Sequence, residues 1–176
     1  MTEFIELRPG VTNQSLWLPE RPPNKQWAEI RMRVLKRDDY TCCFCGHRAT
    51  KWMNAHHLKS STDNRLANLR TICVACHAVQ HIGLNLGLGL IEIWESKLPQ
   101  VEIVSRTRAA VAGGKSLAQI KKTLPLKKGP YSPKSVKYAN DLIETMARRP
   151  RACLEKPLCV VFVGLKRWQI EEDDQT

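Results

Sequence analysis

Two Cys-x-x-Cys pairs, Cys42/Cys45 and Cys73/Cys76, constrain this chain more than any other feature. Four thiolates can close a tetrahedral shell around zinc, and the two-residue spacing lets both sulfurs of a pair face one ion. The 27 residues between Cys45 and Cys73 are too many for a compact ribbon, so the segment inside must fold as a structured insert. A redox Cys-x-x-Cys sits in a strand-helix setting near a parallel-sheet pattern, and neither pair has that setting. Cys43 breaks the spacing and reads as a bystander. Cys153 and Cys159 lie far off and read as ordinary buried cysteines. A chain of 176 residues, 43% apolar and 26% charged, has globular composition and room for one modest core. A metal staple suits a core of that size.

Seven cysteines with no leading apolar segment of signal-peptide type predict an intracellular, cytoplasmic protein that uses cysteine for metal rather than for disulfides. No run approaches 18 apolar residues, so no membrane partner is expected.

The insert is the next informative region. Cys42 to Gly46 reads as a tight knuckle. Met53 to Leu58 predicts a strand, Ser60 to Asn68 a loop, Leu69 to Ile72 a returning strand and Val74 to Ile82 a helix. A helix from about Lys25 to Lys36, with Trp27, Ile30, Val34 and Leu35 near helical spacing, precedes the knuckle. Its other side is basic, with Arg31, Arg33, Lys36 and Arg37. Four of the five histidines fall in the insert and the helix after it: His56, His57, His77 and His81. His77 and His81 are four apart, which on one helix puts both imidazoles on the same face. His56 and His57 are adjacent in a strand and point to opposite sides. A lone histidine is more often a surface residue or an auxiliary zinc ligand. Four at these positions, with Asn68 between them, are not explained that way. His47 follows the knuckle and reads as a surface residue.

Tyr40-Thr41-Cys42…Cys45-Gly46, Ala55-His56-His57-Leu58, Asn68-Leu69 and Cys73-Val74-Ala75-Cys76-His77 together resemble the HNH endonuclease family with zinc-knuckle cysteines. Order, spacing and flanking residues agree over about a quarter of the chain. The resemblance implies an α+β fold built on a ββα-metal module, stapled by a four-cysteine zinc site. It implies His57 as general base and His56, where many members carry Asp, as a metal ligand. It implies His77 as a second ligand, and Asn68 as the residue that pins the loop and orients His57. His81 is similar to the additional helical ligand of the colicin-type nucleases. The implied cofactors are one catalytic divalent cation (Mg, Mn, Ni or Zn) and one structural zinc. The implied reaction is hydrolysis of DNA phosphodiesters to 5′-phosphate and 3′-hydroxyl ends, in a bacterial or phage-like setting. The chemistry is sound in general terms. A neutral imidazole accepts a proton from water near pH 7, and a divalent cation offsets charge on the phosphorane and on the departing 3′ oxygen.

Net charge is +11, and the excess is concentrated. Residues Arg106 to Arg151 hold twelve Lys/Arg against Asp141 and Glu144. Such a field favours a polyanion, and double-stranded DNA is the expected partner. Lys59, Arg65 and Arg70 flank the histidine region, and Lys115, Lys121, Lys134 and Lys137 dot the basic half. They read either as phosphate contacts or as solvated charges. Two cuts on a duplex would fit a homodimer.

Beyond Gly83 the pattern weakens. Leu90 to Trp94 fits strand or helix. Pro99 can open a helix carrying Val101, Val104 and Val111, stopped by Gly113-Gly114. Ser116 with Gln119 is a capping-box signature for a helix with Leu117, Ile120 and Leu124 inward. Ser132-Pro133 can start another helix, to about Ala147, with Val136, Ala139, Ile143 and Met146 on one face. Leu158 to Val163 is strand-like. Trp52, Trp94 and Trp168 read as packing residues. The organisation expected is an arm over 1–24, a nuclease module over 25–83 with its core at 40–81, a basic and mainly helical region over 84–170 with a helix-turn-helix flavour, and an acidic tail over 171–176. The rival to an endonuclease is a zinc-stabilised nucleic-acid-binding protein that does not cut; a pure zinc binder has no need of His57 beside His56.

Overall fold

The computed structural model describes residues 4–12, 23–131 and 151–170, and within them the chain is a mixture of helix and strand, α+β. The predicted helix from Ser132 to Ala147, Lys134, Lys137 and the acidic tail lie outside the described residues.

Helix α1 (Asn24–Arg37) packs Trp27, Ile30 and Val34 against Ala55, Leu66 and Leu69. The apolar stripe read from the sequence is therefore its buried face. The basic side is not simply solvated. Arg31 donates to the Met53 carbonyl, and Arg37 donates to the Leu66 and Leu69 carbonyls at 2.7 Å each. At the helix end Asp38 accepts the Thr71 N–H at 2.8 Å. Burial pushes the Asp38 carboxyl up, but hydrogen bonds from Arg37 and Thr71 outweigh it and hold the group below its ordinary range. These bonds fix α1 across a hairpin of β1 (Asn54–His57) and β2 (Leu69–Ile72), antiparallel with His57 opposite Leu69. Both strands and the loop between them were legible in the sequence.

Helix α2 (Val74–Gln80) follows at once, and here the expected single helix to Ile82 is broken. His81 adopts φ −129°, ψ 54°, ending α2 and preceding α3 (Ile82–Gly87). The buried Asn85 side chain holds the break, donating to the His81 carbonyl at 2.8 Å and the Ala78 carbonyl at 3.4 Å.

After Gly83, the stretch Leu90 to Trp94, which the sequence left as strand or helix, contributes a strand, and the strand-like run from Leu158 forms one too. Strand β3 (Ile91–Glu95) pairs antiparallel with β5 (Leu158–Phe162), and α4 (Gln100–Ala112) and α5 (Leu117–Thr123) pack on this sheet. The first side chain of α4, buried Gln100, extends the pairing by exchanging two hydrogen bonds with Val160. The capping box of Ser116 and Gln119 is formed as read. The long connection after α5 has a physical reason. It returns beside β3, with Lys127, Lys128 and Tyr131 bonded to the backbone of Glu95 and Ile93. Within the described residues α4 and α5 pack on this sheet, and the third helix of the expected helix-turn-helix, from Pro133, lies outside them.

The expected N-terminal arm is built in where it is described. Leu7 and Val11 are buried in the core. Residues Gly10–Thr12 pair antiparallel with β4 (Arg151–Cys153), and the buried Gln80 amide donates to the Arg8 carbonyl at 2.8 Å. At Gly10 a Cβ would lie 2.8 Å from the Gln80 carbonyl oxygen, so the strand reaches α2 only as glycine. The main apolar cluster runs from Leu7 through Leu35, the knuckle and α2 to Phe162 and Ile170. One core therefore crosses the boundary placed at residue 83. No described helix is long and apolar enough to cross a membrane.

Candidate metal centre

Cys42, Cys45, Cys73 and Cys76 each offer a sulfur, and the four lie within 4.8 Å of one another. The first pair sits on the knuckle. Its turn is closed by Gly46 N–H to the Cys42 carbonyl at 3.0 Å and by Cys42 N–H to the His47 carbonyl at 2.8 Å. Gly46 has φ +71°, and the Phe4 ring covers the place of a side chain, so glycine is required. The second pair straddles the start of α2, where Cys73 is the N-cap and its sulfur accepts the Cys76 N–H. Three of the sulfurs belong to buried residues and Cys45 is half-buried.

The electrostatics suit a cation. Cys45 is driven well down, by hydrogen bonds from Cys42, Cys73 and Cys76 and then by the charge of Arg108. Cys73 and Cys76 are pushed up, first by Cys42 and Cys45. Four packed thiols thus do not all ionise together without a positive ion, and soft sulfur donors in a closed set of four fit structural zinc. Cys43 stands apart as expected, its thiol pushed up to about 12 mainly by burial. Cys159 is likewise an inert buried thiol, pushed up to about 12 by burial, but Cys153 is exposed rather than buried.

A second cluster shares α2 with the first. His56 of β1, His77 of α2 and His81 at the α2 break have ligand nitrogens all within 4.8 Å of one another. Ring centroids are 5.4 Å apart for His56 and His77, 5.3 Å for His56 and His81, and 4.5 Å for His77 and His81, with near-perpendicular planes. His56 is 4% exposed and carries Phe44 against its edge, while His77 and His81 are half-buried. The helix break does not separate His77 from His81. Three imidazoles converging in this way can hold one divalent ion of borderline softness.

His57 occupies the neighbouring position of β1. Its ring stacks on Trp27 of α1, centroids 5.7 Å apart and planes within 15°, and its Nε2 pairs with Asn64 Oδ1 at 2.9 Å. Asn68, 6% exposed, staples the intervening loop as expected. Its Oδ1 accepts from Lys59 and Ser60 N–H, and its Nδ2 donates to the Ser60 and Asp63 carbonyls at 2.7 and 2.8 Å. His57 Nε2, however, meets the Asn64 amide oxygen rather than the Asn68 side chain. Asp63, held down to about 2 chiefly by Arg65, keeps a negative charge on this loop next to His57.

At about 1 kcal/mol net per hydrogen bond, Asn68→Ala should cost roughly 2–4 kcal/mol and lower the melting temperature by several degrees. Thermal unfolding followed by circular dichroism checks this. An unchanged melting point would mean the loop is held without Asn68.

The candidate phosphate contacts divide. Lys59 and Lys115 are exposed. Arg65 is paired with Asp63 at 2.8 Å, Arg70 donates to the Ala67 and Leu69 carbonyls, and Lys121 lies 3.1 Å from Glu92 and over the Trp94 ring. Trp94 packs as expected, but Trp52 is 54% exposed at φ +61°. Sequence reasoning missed three residues around the two clusters: Asn64, the stacking role of Trp27, and Arg108. Asn64 lies inside the expected loop and could have been weighed. Arg108 is remote in sequence and carries no local signature.

No family model matches the chain. It is similar to the type 4 apparatus protein DotN of Legionella pneumophila, with 32% identity over 89 residues. The match covers 48% of this chain and 42% of DotN, less than half of the relative's own length.

Proposed function

We propose that this chain is a metal-dependent endonuclease of the HNH type that hydrolyses DNA. The observation that carries the reading is the meeting of His56, His77 and His81, with His57 next to His56 and the Asn68-stapled loop alongside. In this reading His56, His77 and His81 hold one divalent cation, which supplies charge neutralisation at the scissile phosphate and at the leaving oxygen. His57 accepts a proton from the attacking water. In the tautomer that donates Nε2–H to Asn64, the accepting nitrogen is Nδ1. Water oxygen bonds to phosphorus, the bond to the 3′ oxygen breaks, and that oxygen takes a proton from solvent. Trp27 and Asn64 fix the ring, so the base is positioned before substrate arrives. The concentration of Lys and Arg in the second half supplies the attraction for the duplex.

The similarity to DotN favours a second reading, a zinc-stapled component of a bacterial secretion apparatus that cuts nothing. Supercoiled plasmid incubated with the protein and Mg, Mn, Ni or Zn, each with and without EDTA, separates the two. The nuclease reading expects nicked or linear product only where metal is present. Intact plasmid with all four metals, from protein that holds its zinc, would reject it in favour of the second.

A further inference from the structure

Arg108 belongs to α4, far along the chain from either cysteine pair, yet its guanidinium lies against the sulfur cluster. Nη2 is 3.2 Å from Cys73 Sγ and Nη1 is 3.6 Å from Cys45 Sγ, while Nε donates to the Ile170 carbonyl at 2.8 Å. The residue is half-buried, so these contacts are little diluted by water. Ile170 ends α6 (Arg167–Ile170), which packs on both α2 and α4. One planar cation therefore ties together one sulfur from each Cys-x-x-Cys pair and the end of α6.

We propose that Arg108 is the charge partner of the four-sulfur site and the latch by which a bound metal holds α4 and α6 against the knuckle. Four thiolates around a divalent ion carry a net charge of −2, which the buried surroundings cannot solvate. A guanidinium forked onto two of the sulfurs neutralises half of it and draws electron density from Cys45 and Cys73. Outer-shell partners of this kind are worth about 10–100-fold in metal affinity. Lysine cannot replace it fully, because an ammonium on a single stem lacks the planar fork that meets two sulfurs and a carbonyl at once.

The test uses the zinc-loaded full chain and its Arg108→Met and Arg108→Lys variants. Zinc transfer to a chromophoric chelator should show affinity weakened about 10–100-fold in Arg108→Met, with Arg108→Lys between it and the wild type. Alkylation by iodoacetamide, mapped by mass spectrometry, should rise several-fold at Cys45 and Cys73 while Cys42 and Cys76 keep their wild-type rates. That selectivity separates the charge role from a packing role, since simple loosening exposes all four sulfurs together. Hydrogen exchange should rise in α6 on chelation of wild-type zinc. Unchanged zinc affinity in Arg108→Met, or equal gains at all four cysteines, would overturn the proposal. If Arg108→Met does not fold, the alkylation pattern of Arg108→Lys decides in the same way.

Discussion

Cys73→Ser should abolish zinc binding at the four-sulfur site and unfold the knuckle, the hairpin and α2 together. Cys73 holds three positions at once. It supplies a sulfur to the four-cysteine set, caps α2 through the Cys76 N–H, and receives the Arg108 guanidinium. Serine can still cap the helix, but its hydroxyl does not replace a thiolate on zinc. Loss of a structural metal belongs with the largest single-residue effects, beyond about 4 kcal/mol. At roughly 2–4 °C per kcal/mol for a domain of this size, the melting temperature should fall by more than about 10 °C. Metal analysis and thermal unfolding measure both. Cys43→Ser, which alters a thiol outside the set, should keep its zinc. Cys73→Ser with wild-type zinc content and melting would remove Cys73 from the site.

His57→Ala should abolish most of the cleavage proposed above while leaving the protein folded and both side-chain clusters intact. A positioned general base contributes about 10²–10⁴-fold to a rate, and plasmid cleavage should fall by that factor in the metal that best supports the wild type. The ring is not among the three converging imidazoles, so nickel or zinc titrated onto the zinc-stapled variant should bind as in wild type. What the fold loses is the stack on Trp27 and the bond to Asn64, a modest penalty of about 1–2 kcal/mol. A variant that cuts at the full rate would dismiss His57 as the base. One that loses metal binding as well would mean the ring serves the metal rather than the water.

Much of the site could be read from the chain because its chemistry is local. The sulfur pairs, adjacent His56 and His57, and Asn68 at the return of the loop sit at spacings set by a knuckle, a strand and a hairpin. Local grammar also delivered the capping box of Ser116 and Gln119, since a cap depends on three residues of backbone. The failures came where distant segments decide. Leu7 and Val11 show no period over so short a stretch, and only the partner strand and Gln80 turn them into core. The break at His81 is held by Asn85, whose side chain competes for backbone carbonyls in a stretch that otherwise looks helical. For Arg31 and Arg37 the sequence shows only a basic helix face, because their acceptors, the Met53, Leu66 and Leu69 carbonyls, lie on other elements. Arg108 is the clearest case. Its meaning depends on two sulfurs brought to it by the fold.

The convergence of His56, His77 and His81 on a single ion can be tested by diffraction. Crystals grown with excess zinc and measured at the zinc absorption edge should give two anomalous peaks, one among the four sulfurs and one among the three imidazoles. A lone peak among the sulfurs, with nothing between the histidines, would contradict it.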